Sequence, residues 1–139
     1  MTDNGVKVTS LFGPTPRTMK RDKGTAYDLV GAADGAERVD VHVNVLHADA
    51  PVAPYHFHAK AENVYIVLEG EADAIVDGEH LRLSPMDVVF IPPGVAHAVG
   101  GTGDGPVKLL EIYAPVGEDF HLVEDDEAAA DKPGESPTA

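Results

Sequence analysis

Cysteine and tryptophan are absent from this chain, and tyrosine and phenylalanine number four each among 139 residues. Without cysteine there are no disulfides and no thiolate metal ligands, which fits a reducing compartment. No apolar run approaches the ~20 residues that a membrane-spanning helix needs. The start, Met1-Thr-Asp-Asn-Gly-Val-Lys, also lacks the basic-then-apolar pattern of a signal peptide. The expectation is a cytoplasmic protein with no membrane partner. Positive charge is scarce as well: 10 Lys and Arg against 24 Asp and Glu give a net charge of −14. Such a chain is a poor match for phosphate backbones, so no nucleic-acid partner is expected.

What is present divides the chain in three. Residues 116–139 hold eight acidic residues against Lys132, half of the net charge. From residue 118 onward the chain reads as an acidic, solvated tail, with His121-Leu122-Val123 as a segment able to pack. Residues 1–25 run the other way, with Lys7, Arg17, Lys20, Arg21 and Lys23 against Asp3 and Asp22. They read as an arm that adds an edge strand or reaches a partner subunit. Between them, residues 26–117 are the size of a single domain.

Fourteen glycines and eleven prolines punctuate short β-type runs, and no window keeps a helical period. The pattern predicts an all-β sandwich or barrel. Residues 38–46 alternate cleanly, with Val39, Val41, Val43 and Val45 on one face and Asp40, His42, Asn44 and Leu46 on the other. Further strands are predicted over 64–68, 72–76, 79–83, 88–91, 96–99 and 107–113, with Asp77-Gly78 as a hairpin turn. The glycine-rich stretch 100–105 is predicted to be a loop.

Within this frame, His56 and His58 stand two apart. On a strand they offer two imidazoles to one point in space, a metal-site geometry, with Phe57 turned away into the core. Glu62 and Asn63 follow, and His97 comes about forty residues later. His47 and His80 lie near turn signals and read as exposed. His42 and Asn44 share a face that suits either a pocket wall or a solvated strand.

The block His56-x-His58 through Glu62-Asn63 to Gly70, followed by Pro85 to Val95-Ala96-His97, resembles the two motifs of the cupin superfamily over roughly residues 40–115. The resemblance implies a double-stranded β-helix, a jelly-roll barrel with the arm and tail attached. It also implies a divalent transition metal, Fe(II), Mn(II), Ni(II), Co(II) or Zn(II), held by His56, His58 and His97. For the fourth ligand, Asn63 fits the family's spacing to the turn glycine and Glu62 fits the usual carboxylate chemistry. Neighbouring side chains on a regular strand face opposite ways, so both cannot point inward, and Glu62 needs a bulge to do so. Spacing favours Asn63, with Glu62 the second choice. Ala50 and Met86 stand where the family has glycine, and Gly101 where its second motif ends in asparagine.

The leading expectation is a metal-dependent enzyme acting on a small, oxygen-chelating organic molecule, most simply a dioxygenase. The same metal as a Lewis acid predicts an isomerase, cyclase or lyase, with His42 or Tyr65 as the acid–base group. Tyr65 also reads simply as pocket wall, since an unperturbed phenol keeps its proton at neutral pH. A non-catalytic binding or sensing module is the third reading. The apolar face of Val64, Ile66 and Leu68 predicts a homodimer.

Overall fold

The structure is a computed structural model, and it describes residues 4–117 and 119–123. In chain order the strands are β1 (Arg17–Thr18), β2 (Gly24–Val30), β3 (Asp40–Leu46), β4 (His56–Phe57), β5 (Glu62–Glu69), β6 (Ala72–Val76), β7 (Glu79–Leu83), β8 (Val88–Ile91), β9 (His97–Gly101), β10 (Val107–Ala114) and β11 (His121–Leu122). Two short 3-10 turns, Lys20–Asp22 and Ala32–Asp34, are the only helical elements among the described residues. No described helix is long and apolar enough to cross a membrane.

The strands form two antiparallel sheets, one ordered β1-β2-β3-β10-β5-β8 and the other β11-β4-β9-β6-β7. This is the double-stranded β-helix. Strand alternation explains the layers: on β5, Asn63, Tyr65 and Val67 are buried while Val64, Ile66 and Leu68 are half-buried on the other face. Leu46, Val67, Leu83, Ile91, Val99, Val107 and Leu109 form the main apolar core between the sheets. His42, Asn44, His58, Asn63, His97 and Glu111 are buried polar groups.

Register sets which polar groups meet. Across the six-stranded sheet, Glu111 of β10 lies opposite His42 of β3 on one side and Tyr65 of β5 on the other. In the second sheet His56 of β4 is the direct cross-strand partner of His97 of β9. Facing side chains at such positions have Cβ atoms about 5 Å apart, which suits a shared ligand.

One expectation about the chain changes, and two alternatives left open by the sequence are decided. Gly100 and Gly101 belong to β9 rather than to a loop, because their missing side chains let the backbone of residues 47–51 lie against that strand. Of the two roles open to the arm, it takes the edge strand: it supplies β1, which pairs with β2 at the margin of its sheet. The segment His121-Leu122-Val123 packs as the sequence allowed, with β11 paired to β4. The remainder of the expected tail, 124–139, and residue 118 lie outside the described residues.

The turn Ser84-Pro85-Met86-Asp87 carries a cost. Asp87 N–H donates to Ser84 O at 3.0 Å, and Met86 sits at φ 79°, the position of such a turn that favours glycine. Met86 is 79% exposed, so little packing offsets the left-handed backbone. Met86→Gly should therefore stabilise the protein by about 0.5–1 kcal/mol, the left-handed penalty less the added freedom of the unfolded chain. Thermal unfolding of the chelator-treated protein measures it, and an unchanged or lower Tm refutes it.

Candidate metal centre

Three of the predicted site residues meet. One ring nitrogen from each of His56, His58 and His97 lies within 4.8 Å of the other two. Two come from the paired strands β4 and β9, and the third follows immediately after β4. The ring orientations are set by backbone carbonyls: His56 Nδ1 to Pro54 O at 2.8 Å, His58 Nδ1 to Asp119 O at 2.6 Å, and His97 Nδ1 to Val95 O at 2.9 Å. A carbonyl only accepts, so each Nδ1 carries the proton and each Nε2 keeps its lone pair. This is the arrangement by which proteins orient metal-ligating imidazoles. Burial and the neighbouring His97 push the His56 pKa down to about 3, and burial lowers that of His97. Both rings are therefore neutral at neutral pH.

Asn63 is wholly buried. Its Nδ2 donates to Glu111 Oε2 and to Ile112 O, both at 3.1 Å. Both partners are acceptors, which fixes the amide orientation and leaves Oδ1 unused. Among the described residues the buried side-chain atoms with no hydrogen-bond partner are His58 Nε2, Asn63 Oδ1 and His97 Nε2. Three orphaned lone pairs, all on predicted ligands, fit a metal site: without an ion each is a buried acceptor left unpaired. Glu62 is exposed, in regular register with Ala114, and the one shift in that ladder lies at the far end, at Lys108/Leu109. The bulge Glu62 needs is absent, so it stays outside the cluster.

Sequence reasoning missed the residue that organises this region. Glu111 is buried, accepting from His42 Nε2 at 3.0 Å and from Asn44 and Asn63 at 3.1 Å. Burial alone would raise its pKa, but the hydrogen bond and charge of His42, then Asn63, hold it down at about 2. His42 responds in kind. Burial would lower it, yet hydrogen bonds to Asp40 and Glu111 lift it to about 10. It is an imidazolium at neutral pH, which removes it as a general base. Tyr65, buried beside Glu111, is pushed well above its usual 10 by burial and then by that charge, so its hydroxyl keeps its proton. The signal for Glu111 was a lone acidic residue in the apolar strand Val107–Tyr113.

These groups surround a cavity of about 770 Å³, lined by His42, Tyr65, Glu111, Tyr113, His56 and His58. The C-terminal segment closes one side. Phe120 stacks on His56, with ring centroids 4.3 Å apart, and Asp119 accepts from the backbone N–H groups of Ala59, Lys60 and Ala61 at 2.7–2.9 Å. His121 stacks on half-buried Phe57 at 5.1 Å. His47 and His80 are exposed and take no part.

Two outcomes follow. Asn63→Ala should weaken Zn(II) or Co(II) binding by about 10- to 100-fold, while Glu62→Ala leaves it unchanged; calorimetric titration reads both, and the reverse order overturns the assignment. The His42–Glu111 pair should also imprint a pH profile on the metal-free protein. The raised His42 contributes stability fully below 6.5 and loses it as pH rises toward about 10; the depressed Glu111 contributes above 4.5 and loses it as pH falls toward about 2. His42→Gln should thus cost most, about 3 kcal/mol, between pH 4.5 and 6.5 and less on either side. Urea unfolding across pH measures the difference, and a flat profile rejects the pairing.

Residues 43–113 match the sequence profile of the cupin domain. The glucose-6-phosphate isomerase of Pyrococcus horikoshii is 38% identical over 76 residues, 49% of this chain and 40% of that protein. An uncharacterised protein, MJ1618, of Methanocaldococcus jannaschii is 33% identical over 71 residues, 50% of this chain and 57% of that protein. The chain thus spans about half the length of these relatives. Among solved structures, the polyketide cyclase RemF from Streptomyces resistomycificus superposes with TM-score 0.75 at 22% identity, covering 92% of this chain and 94% of that one. The DMSP lyase DddQ from Ruegeria pomeroyi does so with TM-score 0.66 at 26% identity, covering 79% and 61%. With the profile spanning half of its length and the histidines of both motifs gathered at one point, the chain belongs to the cupin family.

Proposed function

We propose that this protein is a metal-dependent enzyme acting without oxygen on a small organic molecule that chelates through oxygen atoms, as an isomerase, cyclase or lyase. The observation that carries it is the set of orphaned acceptors on His58, Asn63 and His97, joined by His56. These residues would hold a divalent ion, for which Fe(II), Mn(II), Ni(II), Co(II) and Zn(II) all suit nitrogen and oxygen donors. When bound, the ion supplies Lewis-acid polarisation of a substrate oxygen.

The chain's own residues support electrostatic stabilisation of charge on a bound substrate rather than covalent catalysis. Glu111 remains a carboxylate while Tyr65 Oη and the His42 ring hold their protons, giving a cavity wall whose charges are fixed. Groups locked in this way stabilise charge that develops on a substrate without having to reorganise. The likeness to an isomerase, a cyclase and a lyase favours the same chemistry. A dioxygenase on the same site is the second reading, favoured by the apolar part of the cavity wall, where Leu46, Val99, Leu109 and Phe120 exclude water.

A homodimer belongs to this proposal. Strand β8 is the edge of its sheet, with Val88 64% and Phe90 56% exposed on the outer face, beside half-buried Val64 and Ile66. A second copy covering that face would remove an apolar edge from water. Light scattering should give twice the chain mass, and Phe90→Asp should yield monomers.

Protein loaded with Zn(II) or Ni(II) under nitrogen should convert a member of a panel of β-diketones, hydroxy-ketones and sugar phosphates, with His97→Ala inactive. Turnover that appears only with Fe(II) and consumes oxygen in step with product selects the dioxygenase instead. No turnover with any metal, aerobic or anaerobic, rejects both.

A further inference from the structure

Lys23 is a buried lysine for which the metal site has no use. It is 8% exposed and lines the same cavity. Its Nζ donates to Ala53 O at 2.6 Å and Val99 O at 2.8 Å, and no carboxylate of the described residues forms an ion pair with it. Burial pushes its pKa down to about 8, opposed by the more distant charge of Glu111, so at neutral pH the ammonium is charged. Two carbonyls are satisfied equally well by a neutral donor. A buried cation without a contacting counter-ion is otherwise a cost, and one facing a cavity is an anion site waiting for its anion.

The surroundings agree. Lys20 and Arg21 line the cavity with Lys23, and Arg17 lines it too but is paired with Asp28 at 2.7 and 3.0 Å, so three further cations gather there in a protein of net charge −14. The segment that presents them holds Arg21 and Asp22 in left-handed backbone, at φ 63° and 52°. Non-glycine residues keep such conformations only where the surroundings impose them, and these cluster at ligand sites. The two carboxylates lining the cavity are already engaged: Glu111 by His42, Asn44 and Asn63, and Asp119 by the backbone of residues 59–61.

We propose that the substrate is an oxyanion, a carboxylate or phosphate ester, whose anionic group is received by Lys23 with Lys20 and Arg21 at the rim while its chelating oxygens face the histidines. The second half rests on the metal-dependent reading above; the Lys23 subsite does not.

Calorimetry on the Zn(II)-loaded full chain tests it with catechol, which chelates only, and 3,4-dihydroxybenzoate, which adds a carboxylate. The carboxylate should tighten binding about tenfold in the wild type, as a charge-assisted contact does. Lys23→Met should erase that advantage while catechol affinity holds. Because Lys23 also clamps two carbonyls, thermal unfolding accompanies each titration. If Lys23→Met does not fold, Lys20→Glu, an exposed change, should still reduce the advantage at least threefold. A carboxylate that adds nothing in the wild type, or an advantage that survives these substitutions, overturns the proposal. Benzoate and inorganic phosphate titrated into metal-free protein separate the two readings. Lys23-dependent binding there, with zinc binding absent, upholds the subsite and rejects the metal; whichever probe binds tighter names the anion.

Discussion

The buried carboxylate of Glu111 is the constraint on which the rest of the site depends. A charge in that position survives only because His42, Asn44 and Asn63 all donate to it. Each donor is fixed in return. His42 becomes an imidazolium at neutral pH, braced against Asp40. The Asn63 amide turns its nitrogen to Glu111, so that only its oxygen remains to face a ligand. A carboxylate at position 63 would stand about one hydrogen bond from Glu111 and repel it. The neutral amide and the outer carboxylate are therefore two halves of one solution, in which the negative charge near the metal site sits one hydrogen bond behind the donor atom.

The histidine cluster obeys the same economy. Three carbonyls, from Pro54, Asp119 and Val95, select the tautomer of three rings without adding charge. One of those carbonyls belongs to the segment after the last long strand, whose Asp119 side chain also gathers three backbone N–H groups of the loop that follows His58. From the segment joining β1 to β2, Lys23 lines the same cavity. Segments before and after the motif region thus line the same cavity as the motif residues between them.

The strands were legible because alternation is written into the residues themselves. Valines two apart on β3 and the Asp77-Gly78 turn need no distant partner to be read. The three histidines were legible for the same reason, through spacing and resemblance. Parity also posed the choice between Asn63 and Glu62 correctly, since adjacent residues on an unbulged strand must part ways. Glycines were harder: Gly100 and Gly101 look like a loop until the backbone of residues 47–51 is seen packed against them.

The sequence by itself determined the fold class, the paired motifs and which three histidines belong to them, because these depend on local period and fixed spacing. Only the tertiary structure decided that Glu111 meets His42 and Asn63, that Asp119 orients His58, and that Lys23 is buried without a counter-ion. Those contacts join residues 48 to 76 positions apart, and nothing in either partner's neighbourhood announces the other. Strand order and register bring them together, and burial then converts ordinary side chains into groups whose charge and orientation are fixed.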